Sequence, residues 1–228
     1  MTIWVRTVVE VLRKDLRDEL RNREVLVTSG FFGFMIVLVF TFSFFRGDAP
    51  LSVVAAGILW VAVAFSGVLA IGRVFDRERE EGGLRGLLMT PAPPTALFVG
   101  KVTTAFLLMA VIEVVVVTAV FFFFSLPAPL TRFAPLVGVL ALGSLGFAAV
   151  GTLLSAMLLH TRSRDGLLVL VLYPLALPVL ILGVKATTAL LEPHISWVEF
   201  GIWLRVLGAF DIIFVAAGAW LFEPVALD

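Results

Sequence analysis

Six stretches of this 228-residue chain run almost free of charge, at 25–45, 51–72, 102–126, 133–159, 166–184 and 206–222. Each is about the length a helix needs to cross a hydrocarbon core of about 30 Å. Only Glu113 and Asp211 interrupt them. A backbone in lipid must satisfy its own hydrogen bonds, which leaves helices or closed barrels. Ten-residue strands of alternating polarity are nowhere visible, so helices are expected. Composition agrees: 61% of residues are apolar and 15% charged, against about 45–50% and about 25% in soluble domains. The expected fold is an all-α integral membrane protein with six transmembrane helices.

Residues 1–24 read differently. Val5, Val8, Val9, Leu12, Leu16 and Leu20 recur at spacings of three and four, with charges of both signs between them. That pattern predicts an amphipathic helix, lying on the membrane surface or packed on a partner. The charges also break any apolar core that a signal peptide would need. The organisation expected is therefore this helix at 1–24, then one membrane domain over 25–228, with a polar loop at 73–96.

Basic residues are distributed unevenly between the two ends of the spans. The N-terminal segment carries Arg6, Arg13, Lys14, Arg17, Arg21 and Arg23. The loop after the second span adds Arg73, Arg77, Arg79, Arg85 and Lys101, and the loop after the fourth adds Arg162 and Arg164. The opposite end has Arg46, Arg132, Lys185 and Arg205 alone. The positive-inside rule then puts both termini and the second loop in the cytoplasm. Net charge is zero, which suggests no nucleic-acid partner, and the absence of cysteine excludes disulfides and thiolate chemistry.

The second loop is the most polar interior stretch. Asp76 to Glu81 are all charged, Gly82 and Gly83 follow, and Leu84, Leu87 and Leu88 then share one helical face before Pro91. A helix that short needs a surface to dock on. Either it docks on a partner beneath the membrane, or its leucines tuck back among lipid headgroups.

Residues 57–94 resemble the corresponding region of the CcmB (haem exporter protein B) family, the permease subunit of cytochrome c maturation. The shared features are Gly-x-x-Trp-Val-Ala at Gly57 to Ala62, Arg-x-Phe at Arg73 to Phe75, and acid-Gly-x-Leu at Glu81 to Leu84. Leu87 and Leu88 ahead of Pro91, the lysine at Lys101 and the stretch Leu170 to Ile181 belong to the same likeness. Arg85 with Gly86, and Gly72, stand where that family often has acids. The resemblance implies an ABC-2-like permease in the bacterial inner membrane, with haem as a possible substrate. It implies a coupling helix using Glu80, Glu81, Gly82, Leu84, Leu87, Leu88 and Pro91 to take an ABC ATPase subunit. A second copy of the chain and other membrane subunits of the maturation system are implied partners, besides the lipid bilayer. The output would be haem export or release of a haem-loaded chaperone.

The chain brings no engine of its own. In "TALFVGKV", Thr95 stands where a phosphate-binding loop needs glycine, and Val102 where it needs Ser or Thr. No catalytic residue or metal site is expected. His160 and His194 fall on opposite sides of the membrane, so each could ligate haem only alone, or simply sit in the headgroup region. Glu113 and Asp211 are costly in lipid. They either line a transport path or hydrogen-bond between helices, and Asp211, six residues past Arg205, is expected near the outer interface. Pro174 and Pro178 predict a kink and a candidate hinge. Two small-residue stripes, Ala62–Ser66–Ala70 and Ser144–Ala148–Thr152–Ala156, predict close helix packing. Two alternatives remain: another ABC-2 exporter carrying lipid or drug, and a stand-alone transporter with Glu113 as proton site.

Overall fold

The computed structural model describes residues 3–44, 50–75, 92–126, 130–159, 161 and 163–227. Every regular element among them is an α-helix: α1 (Ile3–Asn22), α2 (Glu24–Phe44), α3 (Leu51–Arg73), α4 (Pro94–Phe123), α5 (Leu130–Met157), α6 (Arg164–Leu191) and α7 (Trp197–Leu227). The last six are long and apolar enough to cross a membrane. The chain is an all-α integral membrane protein, as the uncharged runs require.

α3 is the axis of the bundle. It packs against α2, α4, α5 and α6, while α7 closes the far flank against α5, α6 and α4. Small residues make that possible, because nothing but van der Waals fit and polar contacts draws helices together in lipid. Ala62, Ser66 and Ala70 of α3 are fully buried, as are Ser144, Ala148 and Thr152 of α5. Both small stripes therefore pack inside one chain. At the centre the Trp60 indole of α3 lies between Gly143 of α5 and Gly183 of α6, where any Cβ would strike the ring. Its Nε1 donates to Thr187 Oγ1 at 2.9 Å.

The uncharged runs at 166–184 and 206–222 are shorter than their helices: α6 runs on to Leu191 and α7 starts at Trp197. Lys185 does not end α6, because its ammonium lies 5.0 Å from the centre of the Trp203 ring. At the end of α6, Arg132 donates to the Leu190, Glu192 and Pro193 carbonyls at 2.8–3.1 Å, supplying partners for carbonyls near the end of the helix. The early start of α7 moves Asp211 about 21 Å into its helix. Asp211 is therefore buried in the middle of the bundle, and not near an interface. Pro174 and Pro178 both lie inside α6, which continues past them.

α1 is joined to the bundle by one face. Trp4 Nε1 donates to Thr95 at 3.2 Å, Val11 packs on Gly100, and Asp15 meets Lys101 and Thr104. The contacts run in the same order on both helices, so α1 lies along the first turns of α4. Val5, Val9 and Leu20 remain exposed.

Candidate functional site

The candidate site is the junction where α3 gives way to the polar loop. Glu80, Glu81, Gly82, Leu84, Leu87, Leu88 and Pro91 lie outside the described residues, but both ends of the loop are described. α3 delivers the chain through Gly72, Arg73, Val74 and the buried Phe75. The chain returns at Ala92, and Pro94 opens α4, where its missing N–H costs nothing.

A helix leaves its last carbonyls without partners and carries a partial negative charge at that end. Two buried cations from other helices meet this need. Lys101 of α4, 3% exposed, donates from Nζ to the Val74 carbonyl at 3.0 Å. Arg164 at the start of α6, 2% exposed, donates from Nη2 to the Gly72 carbonyl and, at 2.8 Å, to Ser155 Oγ of α5. At Gly72, where the resembled family often has an acid, the backbone itself meets the guanidinium.

Lys101 has further partners. Its Nζ lies 3.0 Å from Asp15 Oδ2 of α1 and 5.1 Å from the centre of the Phe75 ring. Thr104 Oγ1 is 3.3 Å from the same carboxylate oxygen. An ammonium this deep is tolerable only with a close counter-ion and filled hydrogen bonds. More exposed, Arg73 pairs with Glu24 at the head of α2 at 3.5 Å. The last turn of α3 is thus bonded, directly or through one residue, to α1, α2, α4, α5 and α6. A displacement of the loop entrance has a polar connection to each.

The two intramembrane acids are not brought together. Glu113 of α4 accepts a hydrogen bond from Ser144 Oγ of α5, and both are buried. Asp211 of α7 lies against Gly146 of α5, which Val179 of α6 also approaches, and among the described residues neither of its oxygens has a hydrogen-bond partner. The two acids reach α5 at residues two apart, which point to different sides of a helix. His194 is exposed in the link between α6 and α7, and His160 is outside the described residues. Among the described residues no three His, Cys, Asp or Glu side chains are grouped to hold a metal ion. Gly100 and Lys101 lie inside α4, which is no phosphate-cradling loop.

In the sequence Arg164 reads only as a loop charge; the one signal of a structural role is that it stands just ahead of an apolar run. Lys101 belongs to the family likeness, but its partner Asp15 is hidden in a mixed-charge helix.

The family model described as CcmB protein matches residues 6–225. The chain is 31% identical to Heme exporter protein B of Haemophilus influenzae over 224 residues, covering 96% of this chain and 94% of that one. It is 28% identical to Heme exporter protein B of Pseudomonas aeruginosa over 196 residues, 82% and 85% of the two chains. With that of Bradyrhizobium diazoefficiens it shares 26% identity over 209 residues, 91% of each. Nearly the whole chain is included, the α3 junction with it: it belongs to the CcmB protein family.

Proposed function

We propose that this chain is the membrane-spanning permease subunit of an ABC-type haem exporter serving cytochrome c maturation. The relatives' name, Heme exporter protein B, supplies the cargo class, and six apolar helices supply the membrane path. One observation carries the coupling: Lys101 and Arg164 hold the last turn of α3 where it enters the loop. An ATPase subunit docks on Glu80, Glu81, Gly82, Leu84, Leu87, Leu88 and Pro91. Its ATP-driven closure moves the loop entrance, and the two buried cations pass that movement to α1, α4, α5 and α6. The chain is a transporter component without catalytic chemistry of its own.

In this reading the arginine-rich end and both termini face the cytoplasm of a bacterial inner membrane, following the excess of basic residues there. Two copies pair, each presenting one loop. The outcome of the stroke is haem export or release of a haem-loaded chaperone outside. The transporter alternative with Glu113 as proton site is the weaker reading, since Glu113 already has an interhelical partner in Ser144.

The test is complementation in bacteria lacking their own member of this family, read as covalent haem in c-type cytochromes. The wild-type chain is expected to restore it, and Leu84→Asp with Leu87→Asp to abolish it at equal membrane abundance. Full maturation with the double variant contradicts the proposal.

A further inference from the structure

A groove of about 410 Å³ opens on the flank of the bundle where α1 turns into α2. Val27, Gly30, Phe31 and Phe34 of α2 and Val115 of α4 line it, with Arg23 at one end. Apart from Arg23 the lining is apolar. Gly30 forms part of the floor, and a Cβ there would come within 4.0 Å of Val115 Cγ2.

Arg23 is the elbow itself. Its φ of 50° lies in the left-handed region, which glycine occupies freely and other residues only at a cost. The turn is built around it: Arg23 N–H donates to the Glu19 carbonyl at 2.6 Å, and the Glu19 carboxylate accepts from Leu26 N–H at 3.0 Å. Glu24 is turned to Arg73. Arg23 uses its Nε on the Leu20 carbonyl at 3.2 Å, and no carboxylate among the described residues pairs with its terminal amino groups. A glycine would make this elbow at lower cost, so the side chain is the feature to explain.

From Arg23 to Phe34 the helix advances about 16 Å, roughly half of a hydrocarbon core of about 30 Å. The Arg73–Glu24 pair puts Arg23 at the depth where α3 leaves the bundle. The groove therefore has the depth of one leaflet, an apolar wall for an acyl chain and a cation at headgroup level. Guanidinium groups pair with phosphate oxygens through two parallel hydrogen bonds. We propose that this groove holds one phospholipid with a net negative headgroup, its phosphate on Arg23 and one acyl chain along Val27 to Phe34.

Native mass spectrometry of the full chain in detergent tests this, with phosphatidylglycerol or phosphatidylcholine of identical acyl chains added. One phosphatidylglycerol is expected to be retained, with about fivefold preference, the worth of one basic residue against an anionic surface. Arg23→Gly suits the backbone at this elbow, so it should abolish the preference without lowering thermal stability. Gly30→Leu fills the groove and should reduce retention of both lipids. Equal retention of the two lipids by the wild type, or an unchanged preference in Arg23→Gly, overturns the assignment and leaves only the non-selective lipid that surrounds any membrane protein.

Discussion

Lys101 Nζ sits 3.0 Å from Asp15 Oδ2, and this ion pair fastens the amphipathic helix to the first turns of α4. Both side chains are nearly out of water, at 4% and 11% exposure. Removing one partner of a fully buried pair costs about 3–5 kcal/mol, but here each keeps other partners: Asp15 has Lys14 at 3.7 Å and Thr104, and Lys101 has the Val74 carbonyl. Lys101→Met and Asp15→Leu are therefore each expected to destabilise the protein by less than that, about 1–3 kcal/mol. The double variant should lose clearly less than the sum of the singles. Denaturant unfolding in detergent micelles gives the three values; additive losses would show that the pair is not coupled.

Arg164 reaches the Gly72 carbonyl of α3 and Ser155 of α5 through one planar guanidinium. Both bonds leave the single Nη2 nitrogen, so the informative change is Arg164→Met, which removes the donor altogether. It is expected to leave docking of the proposed ATPase unchanged, since the docking loop is not altered, yet to lower cytochrome c maturation at least tenfold at equal membrane abundance. Unimpaired maturation would remove Arg164 from the transmission path.

The Trp60 ring leaves no space beside Gly183, where a Cβ would lie 2.6 Å from Cζ2. Gly183→Ala is expected to destabilise by about 1–3 kcal/mol through overpacking. Pairing it with Trp60→Leu should return part of the loss, although the hydrogen bond to Thr187 goes. Thermal unfolding followed by tryptophan fluorescence or light scattering reads both. A Gly183→Ala protein as stable as wild type would contradict the packing.

Glu113 and Ser144 separate two readings of a buried acid. As a link between helices, Glu113→Gln keeps a bond to Ser144 and should preserve maturation within about twofold. Ser144→Ala leaves the carboxyl without its partner and should cost about 1–3 kcal/mol of stability. A proton site would show the reverse, with transport lost in a stably folded Glu113→Gln protein.

Much of the fold was legible from charge alone. The uncharged runs at 25–45 and 51–72 became α2 and α3 almost residue for residue, because a charge in hydrocarbon is expensive and its absence marks the span. Charge is a poorer guide to the ends of the last two helices. Lys185 finds an aromatic face and Arg132 binds backbone carbonyls, so both helices run past their uncharged runs, and Asp211 lies deeper than its distance from Arg205 suggests. The stripes of small residues were legible as packing, since spacing alone puts Ser144, Ala148 and Thr152 on one face. The junction was not. Nothing in sequence spacing relates Asp15, Val74 and Lys101, or Gly72 and Arg164; tertiary packing alone makes them neighbours.

The most direct test of the central claim is co-purification in mild detergent of the wild-type chain, and of the Leu84→Asp, Leu87→Asp variant, from cells co-expressing an ABC ATPase of a bacterial cytochrome c maturation system. The account predicts that the ATPase comes with the wild type and is lost with the variant, while both chains are recovered equally. An ATPase absent from the wild type, or undiminished with the variant, would contradict it.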